Sequence, residues 1–131
     1  MNMRRRFGAA FALACIATVG GGVAAHHSQT GFDPNAAPIE VRGTVAEYRW
    51  RNPHVLLFWD AKDPTGKVER WVVEFASVST SLSNGMSKNS FKVGEEITAT
   101  CIQARAGGPV CAQVKKILRA DGSQVATAGP D

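Results

Sequence analysis

The chain has 131 residues, with fifteen Lys and Arg against eleven Asp and Glu, for a formal net charge of +4. That length bounds it to one domain. The charge does not mark a nucleic-acid binder, because three of the basic residues, Arg4, Arg5 and Arg6, lie in a segment that reads as a leader, and beyond residue 25 twelve basic residues face eleven acidic ones.

Residues 1–25 read as a secretory signal peptide. Arg4 to Arg6 form its charged start, Phe7 to Val19 its short apolar run, and Val23-Ala24-Ala25 its small-residue cleavage site. The apolar run falls short of the roughly 20 residues a membrane span needs. Leu13-Ala14-Cys15 resembles a lipobox with Ala12 in place of the usual Leu, so a lipoprotein at Cys15 is the alternative. Export to the periplasm or beyond is the expected localisation. Beyond the leader the cysteines are an even pair, Cys101 and Cys111, and in an oxidising compartment such a pair forms a disulfide.

Residues 26–38 have no hydrophobic period and carry Gly31, Pro34 and Pro38, which suits an extended arm pinned at Phe32. Ile39 to Trp50 alternates with a period of two and reads as the first strand. Gly43 in its middle suggests a bulge or bend, and Tyr48 and Trp50 then fall on the opposite parity from Val41 and Val45. Asn52-Pro53 ends the strand. Val55 to Trp59 is apolar on both faces, as a central strand is. Asp63-Pro64-Thr65-Gly66 is a turn, and Val68 to Phe75 is the third strand, with Glu69 opening the parity of Trp71 and Val73.

Val78 and Leu82 share a helical face, so a short helix is expected over Ser77 to Asn84, with Ser77 as N-cap and Gly85 just past its end. Ile97 to Arg105 and Val110 to Arg119 are the last two strands, joined at Gly107-Gly108. Cys101 and Cys111 are not symmetric about that turn, so a disulfide between them requires an irregular pairing. The expected organisation is a signal peptide over 1–25, an arm over 26–38, a barrel over 39–120 and a disordered tail over 121–131. The order β-β-β-α-β-β, with one short helix between strands three and four, predicts a mainly β fold, a five-stranded antiparallel OB-like barrel.

His26-His27-Ser28, Phe32-Asp33-Pro34, Gly43-Thr44-Val45, Trp50-Arg51-Asn52-Pro53-His54-Val55, Trp71-Val72-Val73-Glu74 and Val93-Gly94-Glu95 resemble the small secreted bacterial proteins catalogued as domain of unknown function 6152. The His-His-Ser start and the Asn-Pro-His junction are the most specific pieces. Members usually carry a glycine-rich link and a Leu-rich helix after the third strand, where this chain has Phe75-Ala76-Ser77 and a Ser-rich helix. The resemblance implies compartment and fold; that family has no assigned activity, so it implies no reaction.

The sharpest chemical expectation is a metal site at His26, His27 and His54, with copper as the candidate cofactor. Neutral imidazole is the commonest metal ligand and suits Cu, Ni and Zn. Cleavage after Ala25 gives a chelating His26 terminus. Cleavage after Ala24 puts His27 third, and a free amine, two amides and a third-position imidazole make the square-planar nitrogen set of Cu(II) or Ni(II). The roughly 12 residues from His27 to Ile39 reach about 40 Å when extended, enough to bring the pair to His54. The bland alternative has His26 and His27 in solvent and His54 packed beside Trp50.

A second expectation is a ligand surface of Trp50, Arg51, Trp59 and Arg70 on the face of strands two and three, with Trp71 assigned to the core. Its partner would be an envelope ligand or protein rather than nucleic acid. No nucleophile motif, phosphate loop or paired carboxylate arrangement is present, so no catalytic residue is assigned and a non-enzymatic role is expected.

Overall fold

The computed structural model describes residues 31–127. Within them the chain runs β1 (Ile39–Arg49), β2 (Leu56–Lys62), β3 (Val68–Glu74), α1 (Val78–Ser83), β4 (Glu96–Gln103), β5 (Val110–Arg119) and β6 (Gln124–Val125). The sheet order is β3-β2-β1-β4-β5-β6, and a further pairing of β3 with β5 closes a mainly β barrel.

That closing pairing is parallel, Val72 to Val110 and Val73 to Cys111, so the expected all-antiparallel barrel is corrected to a mixed one. The reason is parity. Strand direction alternates at every antiparallel contact, and a ring of five cannot alternate all the way round. The single parallel contact falls where the helix and β4 intervene between β3 and β5.

The helix is one residue shorter at each end than expected. Ser77 and Asn84 are its caps, with non-helical ψ values of 162° and 8°. Ser77 Oγ accepts the Thr80 N–H at 3.3 Å, and Gly85 follows the C-cap at φ 84°. The Val78 N–H is taken by Asn52 Oδ1 at 3.0 Å, which ties the helix start to the turn between β1 and β2. Replacing Ser77 by alanine is expected to cost about 1 kcal/mol in chemical denaturation. No measurable change would mean that Asn52 alone satisfies this helix start.

The bulge in β1 lies between Val45 and Glu47, not at Gly43. One extra residue there reverses the parity, so Val41 and Val45 point inward before it and Tyr48 and Trp50 pack on the core after it. Bulges in β5, at Lys115 opposite Thr100 and Cys101 and at Ala112 opposite Ile102 and Gln103, supply the irregular pairing that the cysteines need. They bring Cys101 and Cys111 to a Cα separation of 5.4 Å in a disulfide, and both are buried.

Asp121-Gly122 reads as a turn in the sequence and is one, but in the segment expected to be a disordered tail it is followed by β6. Gln124 and Val125 pair with Leu118 and Ile117, and Val125 is buried. An apolar valine three residues past an Asp-Gly turn can fold back onto the strand it has just left. The core is filled by inward residues of all five barrel strands, with Met86 and Phe91 from the segment after the helix.

The candidate site at the junction of β1 and β2

The junction Trp50 to His54 leaves β1 with Trp50 half-buried, its ring 6.0 Å from that of Tyr48. Arg51, Asn52 and Pro53 are exposed, and the Asn52–Pro53 bond is cis. Two ties fix the far side. Val55 N–H donates to Ala76 O at 3.1 Å and Phe75 N–H to Val55 O at 2.8 Å, extending the β2–β3 pairing past the strand ends. Val55 is fully buried. His54 is therefore held between an anchored turn and a buried neighbour.

The imidazole meets the carboxylate of Glu74, the last residue of β3. In a neutral ring, an Nδ1–H donated to Oε1 leaves the lone pair on Nε2. The His54 side chain is 33% exposed, so the ring is partly in solvent.

The other two imidazoles of the expected metal site, His26 and His27, lie outside the described residues. Among the described residues no group of three or more His, Cys, Asp or Glu side chains is placed to hold a metal ion. The arm does meet the barrel. Gly31 O accepts the Arg105 N–H at 2.8 Å in the turn between β4 and β5, and Pro109 O of that turn accepts the Val72 N–H at 3.0 Å. Glu74 lies two residues further along β3, about 7 Å at strand spacing.

The expected ligand surface divides. Trp59 is not on it: the indole is fully buried and stacks on Trp71 with ring centroids 6.0 Å apart. Its register partner is Trp71, on the inward parity, whereas Phe58 pairs with Val72 and faces out. An apolar run on both faces leaves that phase open in the sequence; the register with β3 decides it. Arg49 lies over the Phe58 ring, 4.7 Å from its centroid, and also binds Glu47. The Arg49 hydrogen bond holds the Glu47 carboxyl below its usual range. Arg70 grips Asp60 through two bonds of 2.8 and 2.9 Å, which lowers the Asp60 carboxyl in the same way. Trp50 packs on the core edge and Arg51 stands out at the loop. Phe58 and Glu47 are thus the surface residues that sequence reading misses, whereas Arg49 lies at the rim as expected.

No described helix is long and apolar enough to cross a membrane. The model of one family, described as Family of unknown function (DUF6152), matches residues 12–112. No curated protein and no solved structure matches the chain.

Proposed function

The chain belongs to the DUF6152 family of unknown function, and from that premise we propose that it is an exported, non-enzymatic binding protein of the bacterial envelope that holds a Cu(II)-type metal ion through His26, His27 and His54 on an OB-like barrel. The observation that carries this reading is the Glu74 carboxylate on His54 Nδ1. Metal-binding histidines almost always give their second ring N–H to such a partner, which fixes the tautomer and makes the remaining nitrogen more basic.

The anchoring of Gly31 on the β4–β5 turn supports the same reading. His27 is four residue steps from Gly31, about 13 Å of extended chain, on the side of the barrel where β3 leads to Glu74. The leader-like start and the Cys101–Cys111 disulfide support an oxidising, periplasmic or secreted setting. The helix between β3 and β4 and the five-strand ring support the OB-like assignment.

Copper titration of the processed protein, followed by visible absorption and electron paramagnetic resonance, tests it. One equivalent is expected to bind through nitrogen donors. His54→Ala removes the donor fixed by the barrel, and Glu74→Gln weakens binding by about 10-fold through the orientation of the ring. Binding that His54→Ala leaves unchanged confines any site to the terminus. No binding at all ends the metal reading.

A second reading keeps the histidines structural and makes the chain an interaction module. It is favoured by the outward face at Phe58, where Arg49 lies over a half-buried ring and Asp60, two residues along the same strand, is paired with Arg70. A protein that fails to bind copper and loses stability in His54→Ala supports that reading.

A further inference from the structure

The opposite end of the β2–β3 hairpin carries a groove of about 530 Å³, within the size range of small-molecule sites. It lies six residues from the His54 end along β2, about 20 Å at strand spacing, and owes nothing to the metal reading. Its origin is topological. The β3–β5 seam begins only at Val72, so the first half of β3 is not covered by β5. Ala61 opposite Glu69 is small, and the space beside the pair stays unfilled.

The floor is apolar: Trp71, Ala61 and Val41 are all less than a tenth exposed, with Ile39 at the rim. The walls are charged. Glu40, Asp63 and Glu69 face Arg42 and Lys62, and Arg42 is already engaged by Glu96. The Asp63 carboxylate is likewise occupied, accepting the Thr65 and Lys67 N–H groups of its own turn. Glu40 and Glu69 make no ion pair or side-chain hydrogen bond among the described residues.

Glu69 is the unusual member. It sits on the inward parity of β3 with Trp71 and Val73, and it is half-buried. Glu69 shares the groove with the edge of Trp71 and is engaged by no cation among the described residues. An organic cation would supply that partner, its charge suiting the carboxylates and its aliphatic part the apolar floor.

We propose that this groove binds a small alkylammonium ligand, its charged head between Glu69 and Glu40 and its aliphatic stem on Trp71, Ala61 and Val41. The single cation left on the wall, Lys62, would attract an anion, but the two carboxylates outnumber it, so selectivity for a cation rests on them.

The test uses three probes of one length on the full processed chain: pentylammonium, pentanol and pentanoate. Amide shifts of Ala61 and Glu69 and the indole N–H of Trp71 are followed by NMR. Pentylammonium is expected to shift them saturably and to bind about 10-fold more tightly than pentanol. Glu69→Gln, close in shape, is expected to reduce pentylammonium to the level of pentanol, with Glu40→Gln as a second variant should the first not fold. Equal binding of pentanol, preference for pentanoate, or no saturable shift overturns the proposal. So does a folded Glu69→Gln protein that binds pentylammonium as the parent does.

Discussion

Replacing Cys101 and Cys111 together by alanine is expected to cost about 3 kcal/mol of folding stability, the loop-entropy value for a bridge of this short span. The bridged residues are ten apart in sequence. In a domain of this size that corresponds to a fall of about 10–20 °C in melting temperature. The effect is expected to concentrate at one place. Cys111 is one of only two β5 residues in register with β3, so the bridge anchors the strand that closes the barrel. The same β4–β5 turn holds Gly31 through Arg105 and Val72 through Pro109. Hydrogen exchange of the Val72 and Val110 amides should therefore accelerate more than that of the β1–β2 pairing. Calorimetry with and without the bridge checks the size, and exchange checks the place. A double variant melting within a few degrees of the parent would show that core packing alone holds the seam.

Gly43→Ala is expected to destabilise by about 3 kcal/mol, and Gly43→Val to prevent folding, because nothing near this residue can yield. Its φ is not in the left-handed region, so backbone freedom is not the reason for glycine. The reason is space. A Cβ at position 43 would lie 2.2 Å from the Asp60 carbonyl oxygen and 2.9 Å from Cδ1 of Trp59. The first atom belongs to the backbone paired with Thr44, and the second to a fully buried ring stacked on Trp71. Moving either one opens the β1–β2 pairing or the centre of the core. Gly31→Ala is the control, since a Cβ there meets no atom within 4 Å, and it should change stability by no more than about 0.5 kcal/mol. Urea denaturation of the two variants decides. A Gly43→Ala protein as stable as the parent would mean that Trp59 can repack.

The two substitutions illustrate different degrees of legibility. The cysteine pair is readable because it is an even pair beyond a segment that reads as a leader, and its need for irregular pairing follows from counting residues about Gly107-Gly108. The helix caps at Ser77 and Gly85 are readable because capping depends on one side chain and one local dihedral. Gly43 is readable only as an anomaly. A glycine in a strand announces a bend, a bulge or a close approach, and the sequence alone favours the wrong one of these. Trp59 is misassigned for a related reason. With Val55 to Trp59 apolar throughout, the choice of which parity faces inward rests on the strand opposite.

By itself, the sequence determined the properties that depend on neighbours along the chain: strand period, the Asp63-to-Gly66 turn, the helix and its caps, and the change of parity in β1. Tertiary structure alone decided what depends on register between distant segments. It set the parallel β3–β5 seam, turned Phe58 out and Trp59 in, and brought Glu74 to His54 from the end of another strand. It also left Glu69 facing inward beside Trp71 where the seam has not yet begun. The physical division is one of range. Dihedral preference and side-chain period act over a few residues. Pairing register is fixed only when segments tens of residues apart settle on the one alignment that buries the whole core.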